Sequence, residues 1–177
     1  MLNEDMQYKS ATPMKFNRRT NVWPKKITMQ LNWIFKKFDE LTSIELYSIM
    51  QLRNEVFVVE QNCVYQDADG KDHLSMHLCG WDGTKLVAYT RIIPQGISYT
   101  EASIGRVVTS PAHRNTGAGQ QLMKESISRC FSQYNCTSIK IGAQIYLTAF
   151  YQSFGFIPCS SEYLEDGIPH IEMILHK

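Results

Sequence analysis

The sequence predicts an α/β fold in which helices alternate with the strands of one mixed sheet. Strand-type and helix-type patterns follow one another in the order β-α-β-β-β-α-β-α-β-β, which makes seven strands. A helix between two strands usually forms the crossover between parallel strands, so the later half of the sheet should contain parallel members. Asp82-Gly83 separates two apolar runs and is a strong signal for an antiparallel hairpin.

The first half of the domain follows from local patterns. Leu31–Phe38 has the composition of a strand. Thr42 and Glu45 form a capping box, which should begin a helix that runs to about Val59. The apolar side of this helix is expected to consist of Ile44, Leu46, Ile49, Leu52, Val56 and Val59.

The later elements are predicted from the helical and strand periodicities of their apolar residues and from the turn residues between them. The predicted strands and helices are the strands His77–Trp81, Lys85–Ile93 and Ala102–Thr109, a helix Gln120–Tyr134, a strand Ser138–Gly142, a short helix Tyr146–Phe154, a strand from Phe156 to Pro158, and a last strand Ile171–His176 after a turn at Asp166-Gly167.

Length and composition are those of one ordinary globular domain. The chain has 177 residues, of which 44% are hydrophobic and 20% charged. A net charge of +1 gives no argument for a nucleic-acid partner or an anionic membrane. No apolar run approaches the roughly 20 residues of a membrane span, and no signal-peptide core precedes the domain. We therefore expect a cytoplasmic protein without nucleic-acid or membrane partners.

Residues 1–28 differ from the rest of the chain. They show no periodicity and contain two prolines, with six basic residues against two acidic ones. We interpret them as an N-terminal extension without a core face, with a transit peptide or a basic docking tail as alternatives. The domain should then span residues 29–177.

Neither the cysteines nor the aspartates predict a metal site. The five cysteines are odd in number and include no C-x-x-C pair, so free thiols in a reducing compartment are expected. The polar loop Gln61–Ser75 contains a D-x-D-G stretch that hints at calcium. It lacks the closing glutamate of an EF-hand loop, and a turn with side-chain hydrogen bonds is the interpretation we prefer.

The segment Val107–Gly119, VVTSPAHRNTGAG, joins a strand end to a helix through a basic pair and two glycines. The first four amides of a helix have no intrahelical partner, which makes such a start a site for phosphate or pyrophosphate. There is no third glycine in the G-x-G-x-x-G spacing, and no Lys-Ser/Thr follows as a P-loop requires. A simple turn would explain the glycines equally well.

Two motifs resemble those of the GCN5-related N-acetyltransferase (GNAT) superfamily. Arg114-x-x-Gly117-x-Gly119 resembles its pyrophosphate-binding motif, and FYQSFGF (Phe150–Phe156) resembles its second motif, although these aromatics alone would suit a core. From about Gln30 to the C-terminus the chain is similar to the ElaA group. The segments concerned are LRNEVFVVEQNCVYQDADGKD (52–72), HLCGW (77–81), IGRVV (104–108), GQQLM (119–123), GAQ (142–144) and EDGIPHIEM (165–173).

The resemblance implies the acyl-CoA N-acyltransferase fold, a mixed and mostly antiparallel seven-stranded sheet that is splayed in the middle and flanked by helices. It also implies acetyl-CoA as the cofactor. Gln144 stands where many relatives have an asparagine that contacts the pantetheine arm, and a longer amide can make the same bonds. The implied cofactor-binding residues are Val107, Val108, Arg114, Asn115, Thr116, Gly117, Ala118, Gly119, Gln120, Gln144 and Tyr151.

The implied reaction is direct transfer of an acetyl group to a primary amine in a ternary complex. Tyr151 would protonate the leaving thiolate, and a backbone N–H near Val108 would stabilise the carbonyl oxygen. Arg106 suits either a substrate carboxylate or an ion pair. Cys63 has no evident histidine partner, which argues against a covalent intermediate. The base is open: Glu101 is the tentative candidate, His77 and His170 are rivals that would also contact substrate, and a water relay is a further option.

The rival hypothesis is a module of the same fold that senses acyl-CoA without turnover. Tyr151 beside an intact Arg114–Gly119 loop favours an enzyme. The acceptor stays open between a small amine and a protein amine, because fold does not settle substrate. The loops Val59–Asp72 and Glu165–His170 are expected to shape its pocket, and a homodimer is one option for the assembly.

Overall fold

The computed structural model describes residues 30–177. The predicted extension, residues 1–28, lies outside the described residues. The described strands are β1 Asn32–Lys37, β2 Met76–Asp82, β3 Lys85–Ile93, β4 Ala102–Thr109, β5 Ser138–Gln144, β6 Ile157–Pro158, β7 Tyr163–Glu165 and β8 Ile168–His176, and the α-helices are α1 Ser43–Arg53, α2 Ala118–Tyr134 and α3 Thr148–Gln152.

The strands form one mixed sheet in the order β1-β2-β3-β4-β5-β8-β6, with β7 paired to β8. The predicted fold class is confirmed: the neighbours are antiparallel except for β4 and β5, which run parallel in the later half. The count of seven strands was wrong for the described residues, since Tyr163–Glu165 adds an eighth. Asp166 and Gly167 both have positive φ, 50° and 78°, which allows a tight two-residue hairpin that starts β8 at Ile168.

The sheet is splayed between β4 and β5. The two strands pair only through Ala102 opposite Ile139 and Ser103 opposite Lys140. Both strands continue beyond that point, β4 to Thr109 and β5 to Gln144, without pairing to each other. Their carboxyl-terminal halves therefore leave a notch in the middle of the sheet.

A bulge in β4 lies beside this notch. Tyr89 is opposite Val108 and Arg91 is opposite Gly105, so two residues of β4 face Thr90 alone. One of the two is Arg106, whose φ of 51° is uncommon for a residue other than glycine. A bulge leaves its extra residue out of the ladder with β3, and in this part of β4 the backbone is not paired with β5 either.

Each face of the sheet has its own core. Because side chains alternate along a strand, Leu78 and Ala88 pack towards α2, whereas Cys79 and Tyr89 pack towards α1. In the described residues, no helix is both long and apolar enough to cross a lipid bilayer.

The first helix differs from its prediction in two ways. Ile49, Leu52 and Val56 are buried as expected, but Ile44 and Val59 are each 74% exposed. From Asn54 to Glu60 the helix continues with π-helical turns, which rotates the residues after Arg53 relative to an α-helical pattern. Such turns are frequent at functional sites, and this one leads into the loop that lines the notch.

Candidate active site

The loop before α2 is shaped to present the start of that helix. Gly117 caps the helix with φ of 93°, a left-handed conformation that glycine adopts without steric cost. Thr116 Oγ1 donates to the carbonyl of His113 at 2.7 Å and accepts from the amide of Ala118 at 3.4 Å. The amides of the first turn have no intrahelical partner, and together with the helix dipole they create a positive end. This end of α2 follows the loop that begins at the carboxyl end of β4, beside the notch.

Arg114 adds a full positive charge beside this helix end. Its two terminal nitrogens donate to Glu60 Oε1 and Oε2 at 2.5 and 2.7 Å, and both side chains are 40% exposed. The hydrogen bonds from Arg114 lower the pKa of Glu60, and the same bonds raise the pKa of Arg114. The last π-helical turn is thereby tied to the glycine loop.

Tyr151 lies on α3, with only 5% of its surface exposed. Its ring meets Phe150 and Phe156 edge-on, at centroid distances of 5.2 and 6.1 Å. Burial raises the pKa of Tyr151, so the phenol is protonated at neutral pH. Its hydroxyl makes no hydrogen bond to any residue from 30 to 177, which leaves it available to a ligand. Phe150 packs near Gly119, whose Cβ, if one were added, would lie 3.9 Å from Phe150 Cζ.

Two further side chains connect the helix end to Tyr151 and to the notch. Tyr146, 71% exposed, interacts electrostatically with both Arg114 and Tyr151. Gln144 lies at the end of β5, where its amide nitrogen donates to Gln61 Oε1 at 3.4 Å. The residues predicted for the cofactor thus surround one end of the notch.

The two loops predicted to shape the acceptor pocket lie against each other. The thiol of Cys63 donates to the carbonyl of Asp166 at 3.6 Å. Between the loops is an open pocket of about 420 Å³. Its lining consists of Gln61, Asn62, Cys63, Val64, Asp166, Gly167 and Ile168.

His170 is next to this pocket. It lies on β8 directly opposite Gln144 of β5, and its ring stacks on Tyr163 at a centroid distance of 5.9 Å. Its Nδ1 is 2.8 Å from the carbonyl oxygen of Ile168. Directly opposite residues of paired strands share one face of the sheet, so the structure brings His170 together with the predicted pantetheine contact.

The structure does not bring the other two base candidates to the notch. His77 is fully buried, with Nδ1 2.9 Å from the hydroxyl of Tyr89 and Nε2 3.0 Å from the carbonyl of Asp72. Glu101 precedes β4 at the end where β4 and β5 are paired. It lies seven positions before Val108, a distance of roughly 20 Å in an extended chain.

Arg106 belongs to an ionic network that fixes the polar loop. Its Nε donates to Asp67 Oδ1 at 2.8 Å, and a terminal nitrogen is 3.3 Å from Asp69 Oδ2. Arg91 holds Asp69 through two bonds of 2.6 and 2.7 Å. Arg53 donates to Asp67 at 2.8 Å and to Asp72 at 2.7 Å. These contacts match the interpretation of Arg106 as an ion-pair residue and not as the partner of a substrate carboxylate.

The same aspartates therefore face arginines. Asp69 Oδ1 also accepts from the amide of Lys71 at 3.1 Å, which is the side-chain turn expected from the sequence. Burial opposes ionisation of Asp72, but hydrogen bonds from Arg53 lower its pKa. Within residues 30–177 no three His, Cys, Asp or Glu side chains are grouped to hold a metal ion.

Sequence reasoning included Glu60 and Gln61 only as members of the loop Val59–Asp72, without their contacts to Arg114 and Gln144, and it did not single out Tyr146. Glu60 and Gln61 reach the site through the π-helical turns, which no local pattern announces. Tyr146 was assigned to the start of a helix, whereas it lies in a 3-10 turn between β5 and α3. An aromatic residue two positions after the predicted pantetheine contact was the available signal.

Comparison with known proteins defines the class. The acetyltransferase (GNAT) domain family matches residues 45–177, so the chain belongs to the GNAT acetyltransferases. Within them it falls in the ElaA group: protein ElaA of Escherichia coli (strain K12) is 46% identical over 145 residues, which cover 81% of this chain and 95% of that protein.

Solved structures agree with this assignment. An acyl-CoA N-acyltransferase from Pseudomonas aeruginosa has a TM-score of 0.78 at 41% identity, covering 82% of this chain and 99% of that chain. The crystal structure of Escherichia coli ElaA gives 0.77 at 44% identity with the same coverage. An aminoglycoside 6′-N-acetyltransferase complexed with coenzyme A gives 0.61 at 16% identity, covering 81% of this chain and 96% of that chain, a likeness of fold alone. Family and fold together support acyltransferase activity.

Proposed function

We propose that the protein is a cytoplasmic, coenzyme A-dependent N-acetyltransferase that moves an acetyl group from acetyl-CoA directly to a primary amine. The observation that carries the proposal is the arrangement around the notch: a helix start and Arg114 at one end, and on α3 the hydroxyl of Tyr151, which has no hydrogen bond to residues 30–177. Acetyl-CoA carries phosphates at one end and a thioester at the other. The phosphates need cations and amide donors, and the thiolate that leaves the thioester needs an acid.

The donor groups fit coenzyme A by their chemistry. The amides of Ala118, Gly119 and Gln120 and the guanidinium of Arg114 would hold pyrophosphate, with the loop residues Asn115 and Thr116 shaping the approach. Gln144 would bind the pantetheine amide. Backbone groups at the β4 bulge, Val107 and Val108, would bind the carbonyl oxygen of the thioester.

Bound acetyl-CoA supplies an activated acyl group. The bulge amide would stabilise the oxygen as it gains negative charge, and losing one such donor typically costs about 3 kcal/mol in other enzymes. Tyr151 would protonate the thiolate as the C–S bond breaks, because burial keeps the phenol protonated. The pocket between the loops at Cys63 and Asp166 would admit the amine.

A thiol-release screen tests the proposal. The protein is incubated with acetyl-CoA and a panel of primary amines that includes polyamines, amino sugars, lysine and peptides with free N-termini, and free thiol is measured. Amine-dependent release is expected for at least one class. If coenzyme A stabilises the protein but no amine causes thiol release, the protein would be an acyl-CoA sensor. If coenzyme A does not stabilise it, the protein would be neither an acetyltransferase nor an acyl-CoA sensor.

A further inference from the structure

We propose that His170 is the general base that removes the proton of the attacking amine, an inference that rests on the proposed acetyltransferase function. An amine attacks a thioester only through its lone pair, so the group that accepts its proton must itself carry a lone pair and face the acceptor. His170 meets both conditions in its hydrogen bonding and its position.

The hydrogen bond of His170 fixes its tautomer. A carbonyl oxygen can only accept, so Nδ1, 2.8 Å from the oxygen of Ile168, must carry the proton. In the neutral ring Nε2 then holds the lone pair. Nε2 has no partner among residues 30–177, whereas both ring nitrogens of His77 are engaged. The neutral form of His170 is thereby set up to accept a proton.

His170 lies near the proposed sites of both substrates, acetyl-CoA and the amine. It is directly opposite Gln144, the proposed pantetheine contact, and its own bond partner Ile168 lines the pocket proposed for the amine. Stacking on Tyr163 restrains the ring. An amine in that pocket would lie beside Ile168, the hydrogen-bond partner of His170.

Charged groups around His170 come from three strands. From β7, Glu165 contacts the hydroxyl of Tyr163 at 3.4 Å. From β8 itself, Glu172 pairs with Lys140 of β5 at 2.7 Å. Glu172 is therefore neutralised by Lys140.

The amine nitrogen forms a bond to the carbonyl carbon, whose π electrons move to oxygen, and Nε2 of His170 takes a proton from that nitrogen. The carbonyl reforms, the C–S bond breaks, and Tyr151 donates its proton to sulfur. Proton exchange with solvent restores the imidazole and the phenol.

The tautomer is tested without any turnover. ¹⁵N-detected NMR of the imidazole nitrogens, assigned by comparison with His170→Gln, should show the proton of neutral His170 on Nδ1. A proton on Nε2 would overturn the proposal, because that nitrogen would then have no lone pair to offer.

The catalytic role is tested with two amines of nearly equal size, ethylamine and 2,2,2-trifluoroethylamine, the second of which is far less basic and is largely uncharged at neutral pH. For ethylamine, His170→Gln should lower kcat/KM about 100-fold or more. For the fluorinated amine the loss should be clearly smaller. Coenzyme A should still raise the Tm of the variant, and His176→Gln on the same strand should match wild type. If neither amine is accepted, the fastest amine of the panel and an analogue of lower basicity replace them.

Equal losses with both amines, or no loss, would contradict the base while leaving the acetyltransferase intact. Wild-type protein that releases no thiol with any amine would instead contradict the proposed function itself. The two failures are therefore distinguishable.

Discussion

Glu60 and Arg114 are joined by two hydrogen bonds across the mouth of the notch, although 54 positions separate them in the chain. This pair ties the end of the first helix to the loop that precedes α2. Gln61, the next residue, bonds to Gln144 at 3.4 Å. One short segment thus contacts the proposed pyrophosphate and pantetheine sites and continues into the proposed acceptor pocket.

Removing the charge of Glu60 should tighten binding of coenzyme A. In the proposed site, the pyrophosphate would share Arg114 with this carboxylate, and an exposed ion pair contributes roughly 0.2–1 kcal/mol. Glu60→Gln should therefore lower the Kd for coenzyme A by a factor of about 1.4 to 5, measured by calorimetry. Glu125→Gln, which removes the same charge from an exposed pair on α2, should leave the Kd unchanged. A weaker affinity in Glu60→Gln would show that Glu60 supports the site.

Gly119 offers a test of the helix start that keeps the protein folded. A Cβ there would meet only ordinary contacts of 3.8 and 3.9 Å, with Thr109 and Phe150. An aspartate in the first turn stabilises a helix through its dipole, so Gly119→Asp should keep or raise the Tm. The same charge should repel pyrophosphate and abolish the Tm increase caused by coenzyme A, measured by thermal unfolding.

Gly119→Asn is the matched control, because it has nearly the same shape without the charge. It should retain a larger part of the coenzyme A effect than Gly119→Asp. An undiminished Tm increase in the aspartate variant would place the pyrophosphate elsewhere.

His77 should make the fold sensitive to mild acid. Burial lowers its pKa in the folded state, whereas the unfolded chain titrates near ~6.5. Below that pH the unfolded state binds more protons, so the free energy of unfolding falls as the pH falls towards the folded-state pKa. The lowered pKa values of Asp69 and Asp72 act only below about pH 4, where unfolded aspartates titrate.

Urea unfolding at pH 7.5 and 5.5 measures this effect. His77→Gln should be less stable than wild type at pH 7.5, since it alters a fully buried hydrogen-bonded group. Its further loss at pH 5.5 should be smaller than that of wild type. His176→Gln should lose as much as wild type, and an equally steep loss in His77→Gln would assign the effect to other groups.

Short sequence motifs correctly predicted the caps and turns that depend only on neighbouring residues. The capping box is confirmed by bonds of 3.2 Å from the Glu45 amide to Thr42 and of 2.8 Å from the Thr42 amide to Glu45. The hairpin at Asp82-Gly83 and the glycine-led helix also formed as expected. Each of these depends on residues within a few positions of one another.

What the sequence did not reveal depends on contacts between distant residues. Nothing near His77 shows that Tyr89 and Asp72 will enclose it, and nothing near Arg106 shows that Asp67 will bind it. The short strand β7 forms only because β8 offers it a partner. The π-helical turns likewise place Glu60 by packing that a 3.6-residue pattern does not describe.

The most direct test of the account is the rate of acetyl transfer in Tyr151→Phe. The ring packing on Phe150 and Phe156 should survive, and no hydrogen bond to the described part of the chain is lost, so the Tm and the affinity for coenzyme A should stay near wild type. An acid that protonates the leaving thiolate is commonly worth about 100- to 10,000-fold in rate. Single-turnover acetyl transfer, with enzyme in excess over acetyl-CoA and the best amine of the panel saturating, should slow by that range. A folded Tyr151→Phe protein that transfers the acetyl group at the wild-type single-turnover rate would contradict the account.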